Sequence, residues 1–115
     1  MSESTIDLAT FEALQQTAGA EFVGELVDTF LTEAPLMLDE MREAFAAGNA
    51  ERFRRAAHSL KSNSLTFGAT GLATMARDLE LGGLDPVRRA NAQPLDALAR
   101  EYSQVADALT ELRNA

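Results

Sequence analysis

Apolar residues recur three and four positions apart along almost the whole chain, and no segment sustains the every-second-residue alternation of a half-buried strand. A chain with that spacing can bury its apolar surface only by packing helices together. Leu8, Phe11 and Leu14 fall on one side of a short helix that Asp7 can cap and Gly19 can end. Phe22, Leu26, Val27, Phe30, Leu31, Ala34, Leu38, Met41 and Phe45 carry the rhythm on to Gly48. Pro35 interrupts this long segment; it lacks an N–H and crowds the preceding turn, which predicts a kink or a split into two collinear pieces. Asn49 can cap a third helix whose face is Phe53, Ala56, Ala57, Leu60, Ser64 and Phe67, ending at Gly68. A fourth carries Leu72, Met75, Ala76 and Leu79 to Gly82-Gly83, and Asp85-Pro86 can start a brief helical turn. Pro94 opens the last helix, in which Leu95, Leu98, Tyr102, Val105, Leu109 and Leu112 form a seam.

Four main helices with short connections predict an all-α fold: an antiparallel four-helix bundle with a short N-terminal capping helix, a single domain over residues 1–115. The competitor is a mixed α/β fold, but its candidate strands also satisfy helical spacing and end in helix punctuation.

Composition removes several chemistries. Without cysteine there is no disulfide, thiol nucleophile or thiolate metal site, and one histidine cannot assemble a histidine-cluster metal site. Ten basic against eighteen acidic residues give a formal net charge of -8, which repels phosphate backbones and anionic lipid surfaces. Neither nucleic acid nor membrane is therefore expected as a partner. The start, Met1-Ser2-Glu3-Ser4-Thr5-Ile6-Asp7, is polar and acidic where a secretory signal needs a positive end and an apolar run, which points to the cytoplasm. No dimer seam stands out, so a monomer is the expectation. Met37, Met41 and Met75 read as core fillers, and Glu12, Glu21, Glu25, Asp39, Glu40 and Glu43 as solvated faces.

The chemistry concentrates on the third helix. His58 is the only histidine and Lys61, three residues on, the only lysine. Taking Phe53, Leu60 and Ser64 as the buried centre, helical geometry places Lys61 at about 80°, Arg54 at about 100°, Leu65 at about 120° and His58 at about 140°. The imidazole thus faces water, with Arg54, Lys61, Ser62 and Leu65 around it. Arg52, Arg54, Arg55 and Lys61 read as a local positive patch on a negative protein, suited to an anion. The plain alternative is a solvated helix face with a stray histidine. An exposed imidazole, whose reference pKa is about 6.5, offers a lone pair near neutrality without a general base. Attack on a carbonyl would need an oxyanion hole, for which neither a nucleophile elbow nor a glycine-rich cradle exists. Attack on phosphorus needs in-line approach and nearby positive charge, which a metal-bearing partner can share.

Ala57-His58-Ser59-Leu60-Lys61-Ser62, with Gly68 ten residues after the histidine, resembles the histidine phosphotransfer (HPt) motif, His-x-Leu-Lys-Gly with a later glycine. The likeness extends along the chain: a short lead helix, a long second helix, the motif helix, a helix with Leu79-Glu80 and a long closing helix. It implies that His58 is a phospho-acceptor, taking a phosphoryl group from a receiver-domain aspartate and passing it to another receiver. Lys61 would then balance the phosphoryl charge, and Arg54, Ser62 and Leu65 would contact the receiver. The position after the lysine, glycine in many relatives, is Ser62 here. The resemblance further implies no kinase site and no cofactor of the chain's own, the magnesium belonging to the receiver. The implied partner is the receiver domain of a response regulator or hybrid histidine kinase. A rival reading from another class is a helical adaptor or inhibitor that binds a receiver or a histidine kinase without carrying phosphate.

Overall fold

A computed structural model describes residues 5–115. The polar segment Met1–Ser4, on which part of the case against a secretory signal rests, lies outside the described residues. Six helices follow one another, and there is no strand among the described residues: α1 Leu8–Ala18, α2 Ala20–Ala47, α3 Ala50–Thr66, α4 Thr70–Gly82, α5 Leu84–Arg89 and α6 Gln93–Asn114. Helix α3 packs against α2 and α4, and α6 closes the ring against the same two, so α2, α3, α4 and α6 are the four-helix bundle. Helix α1 lies against α2 and α3, and α5 bridges α4 to α6. At about 1.5 Å per residue, the 28 residues of α2 match the 42 Å long dimension of the molecule. No described helix is long and apolar enough to cross a membrane.

Helix boundaries follow their local chemistry. The Asn49 side chain accepts the Arg52 N–H at 3.1 Å and starts α3. Pro94 sits in the first turn of α6. Between α3 and α4 Gly68 takes φ +81°, and its carbonyl accepts the Asp7 N–H at 2.8 Å. A Cβ on Gly68 would sit 2.8 Å from the Asp7 carbonyl oxygen, so no other residue fits without moving the chain.

The core comprises Phe11, Val23, Val27, Met41, Phe53, Leu60, Leu72, Leu98, Val105 and Leu109, among others. The face read for α3 is the buried face, Ser64 included; its hydroxyl donates to the Leu60 carbonyl at 2.7 Å. Two expected core residues are corrected: Leu8 and Phe22 are both about half exposed. Their places are taken by Ile6, which the Asp7–Gly68 bond pins beneath α1, and by Val23. The α2 stripe runs through Val23, Val27, Phe30, Ala34, Met41 and Ala44, which leaves Phe22 about 100° off its centre.

Pro35 does not split the helix: α2 is continuous through it. A proline at 35 deprives the Leu31 carbonyl of its usual helical donor. Tyr102 of α6 supplies a substitute, its hydroxyl lying 3.4 Å from the Leu31 oxygen while its ring packs 6.0 Å from Phe30. Burial raises the Tyr102 pKa, keeping the phenol protonated as a donor. Tyr102→Phe should therefore cost about 1 kcal/mol in urea unfolding. In a Pro35→Ala background, where the helix serves Leu31 itself, the same change should cost little; equal losses in both backgrounds would show that the hydroxyl does not serve that carbonyl.

Candidate functional site

Helix α3 presents His58 outward from mid-helix, its side chain 54% exposed, as the helical angles require. Lys61, at the edge of the buried face, is 24% exposed. Opposite them on α4 stands Glu80, only 12% exposed, and its two oxygens are divided between the pair. Oε2 lies 2.8 Å from Nδ1 of His58, and Oε1 lies 3.1 Å from Nζ of Lys61. Oε1 is buried and has no aligned hydrogen-bond donor, so its contact with Lys61 is an ion pair. The carboxylate cannot turn without giving up one of these two contacts.

The hydrogen bond from His58 holds the Glu80 carboxyl below its ordinary range; burial works against this, and Lys61 reinforces it. Ionised at neutral pH, Glu80 can only accept. Nδ1 of His58 must therefore carry the proton, which leaves the lone pair of a neutral ring on Nε2. The ring is thus fixed in one tautomer by a group on a neighbouring helix.

The other candidate residues are on the same surface. Ser62 is exposed and Leu65 is 51% exposed. Arg54 is also exposed, but its guanidinium forks onto Glu51, with Nη2 at 2.6 Å and Nε at 3.3 Å. Glu51 raises the already high Arg54 pKa, and Glu80 adds a longer-range attraction. The expected positive patch needs correction, because its charges are largely paired. Arg52 clamps both Glu40 and Glu43, with Nη2 at 2.9 Å and 2.8 Å respectively. Lys61 is paired with Glu80, and among the described residues only Arg55 of the four has no carboxylate within 4.0 Å. Eighteen acidic residues make such pairing hard to avoid. Glu40 and Glu43 consequently tie α2 to α3 and do more than solvate a face.

Glu80 was absent from the candidate residues read from the sequence. The signal was present in the spacing: an antiparallel pair turning at Gly68–Ala69 brings residues equally distant from the turn level with each other. Ala69 is midway between His58 and Glu80.

The family model described as Hpt domain matches residues 25–115. Among solved structures, the chain is similar to histidine-containing phosphotransfer protein B (HptB) from Pseudomonas aeruginosa PAO1, with 28% identity and a TM-score of 0.80. That similarity covers 96% of this chain and 95% of the other. No curated protein matches.

The Glu80 contacts have a pH signature. Because its folded-state pKa is depressed, the stability it contributes is complete above its ordinary value of 4.5 and is lost as pH falls through the lowered one. Glu80→Gln should be less stable than the native protein at pH 7, and its stability should fall less steeply on acidification below pH 4.5. Urea midpoints measured at neutral and acid pH check this; parallel acid limbs would refute it.

Proposed function

The chain belongs to the Hpt domain family and is a histidine phosphotransfer protein of a phosphorelay; from that premise we propose that Nε2 of His58 is the atom that carries the phosphoryl group. The observation that carries this reading is the 2.8 Å contact between Glu80 and Nδ1, which leaves Nε2 as the free nitrogen on an exposed ring.

In the reaction so read, the receiver presents an aspartyl phosphate in line with Nε2. The nitrogen lone pair forms the N–P bond as the P–O bond to the aspartate breaks, and the electron pair leaves on the aspartate carboxylate. Lys61, three residues on along the same helix and paired with the carboxylate that holds the ring, would balance the charge of the transferred oxygens. Its ammonium has three donors, and one directed at Glu80 leaves others for the phosphoryl group. The return step runs the same path backwards towards a second receiver, and both phosphoryl bonds are of high transfer potential. Chain residues supply no nucleotide-binding glycine loop, which supports a carrier phosphorylated by its partners.

Leu65 and Ser62 would contact the receiver beside the histidine, with Arg54 at the rim. Leu65 is the strongest of the three, since a half-exposed leucine two turns along the same helix face gains most from being covered. Arg54 would have to leave Glu51, or engage the partner through both charges together. An inhibitor that never carries phosphate would not need a free Nε2, and the geometry favours the carrier on that ground.

Incubation with a phosphorylated receiver should put an acid-labile, base-stable label on the native protein and none on His58→Gln; equal labelling of the two would refute the assignment. Lys61→Ala should slow transfer about ten- to a hundredfold with an unchanged circular dichroism spectrum. A collapse of that spectrum would make Lys61 structural.

A further inference from the structure

We propose that Glu80 holds a proton on Nδ1 of His58 throughout the transfer cycle, so that the phosphorylated ring stays an imidazolium and departs as neutral imidazole when the group is passed on. This rests on the reading of His58 as the phosphoryl carrier, and it makes Glu80 a positioning residue whose charge, beyond its shape, sets the lability of the phosphohistidine.

When Nε2 donates its lone pair to phosphorus, the ring acquires a formal positive charge with the Nδ1 proton still in place. If that proton is lost, the later breaking of the N–P bond must expel an imidazolate, a far poorer leaving group. If it is kept, a receiver carboxylate attacks phosphorus, the N–P electron pair returns to Nε2, and the neutral Nδ1–H tautomer is restored. No proton has to move in either direction. The requirement is an acceptor on Nδ1 that favours the protonated ring, and Glu80 Oε2 sits there at 2.8 Å.

The surroundings make the charge effective. Glu80 is 12% exposed, so water screens its interaction with the ring poorly. Its second oxygen is tied to Lys61, which prevents the carboxylate from turning away. The charged groups within a turn of the ring are Glu80 from α4 and, from α3 itself, Lys61, Arg54 and Arg55. The three cations oppose ring protonation; Lys61 is engaged by Glu80 and Arg54 by Glu51, while Arg55 is exposed to water, which screens it. Arg77, one turn back along α4, is paired with Asp78 at 3.7 Å. Among the described residues, Glu80 is the one group hydrogen-bonded to Nδ1. A glutamine at this position can keep an oxygen acceptor for the Nδ1 proton; it removes the charge and turns an NH2 donor toward Lys61, a loss that does not vary with the protonation of the ring.

Native protein and Glu80→Gln are labelled with phosphoramidate, and transfer to an unphosphorylated receiver domain is followed from mildly acid to alkaline pH. The receiver's own pH dependence is common to both and cancels in the ratio of rates. The falling alkaline limb of Glu80→Gln should begin about one pH unit lower, with similar rates at mildly acid pH and about tenfold slower transfer at alkaline pH. A rate ratio independent of pH would overturn the proposal, leaving Glu80 a purely structural contact. Should Glu80→Gln not fold, labelled native protein alone decides: the phosphorus NMR titration of its ring should have a higher midpoint folded than in urea, and an equal or lower midpoint overturns the proposal. Absence of label on native His58 would instead overturn the carrier reading itself.

Discussion

The turn at Gly68 is where the bundle and the site are both determined. The chain reverses there with φ +81°, against the backbone of Asp7, at a spacing that excludes a side chain. Because the reversal is that tight, α3 and α4 return along each other in a fixed register, and residues equally far from the turn face one another. His58 and Glu80 are such a pair, with Lys61 a turn nearer on α3. The same contact that tightens the turn also draws in the start of the chain, since the Asp7 N–H donates to the Gly68 carbonyl and carries Ile6 into the core. The lead helix is therefore held by the turn that positions the histidine's partner.

Electrostatics at the site follow from a surplus of carboxylates. With a net charge of -8, three of the four cations of α3 find acidic partners within the molecule: Arg52 on α2, Arg54 on its own first turn, Lys61 on α4. The outer face of α3 is a largely neutralised surface with an exposed imidazole at its centre and an ammonium shared with a buried carboxylate. Most of the exposed pairs contribute little to stability. The Glu80 contacts differ because that carboxylate is nearly out of water and bound on both oxygens. It has already lost most of its hydration, so its contacts with the ring and the ammonium are what compensate it.

Much of the fold was legible because helical periodicity and punctuation are local. Asn49, Gly68, Gly82-Gly83 and Pro94 mark boundaries that the structure keeps. The buried face of α3 was legible residue by residue, and with it the outward turn of His58 and the exposure of Leu65. Leu8 and Phe22 were misjudged because an apolar side chain near a helix start fits either side of a stripe until a neighbour fixes the phase. Pro35 does not make the split allowed there, for a related reason. Its local effect, an orphaned carbonyl at Leu31, is legible, but the hydroxyl that answers it comes from Tyr102, 71 residues away in the chain.

By itself the sequence determined that the chain is helical, where most helices begin and end, and that its one imidazole stands on a solvent-facing stripe beside its one ammonium. Those properties depend on residues within a turn or two of one another, which the order of amino acids specifies directly. Only the tertiary structure decided which nitrogen of the ring is free, because that depends on a carboxylate delivered by another helix. It also decided that Arg52 and Lys61 are paired, since ion pairs between helices form wherever packing brings opposite charges within reach.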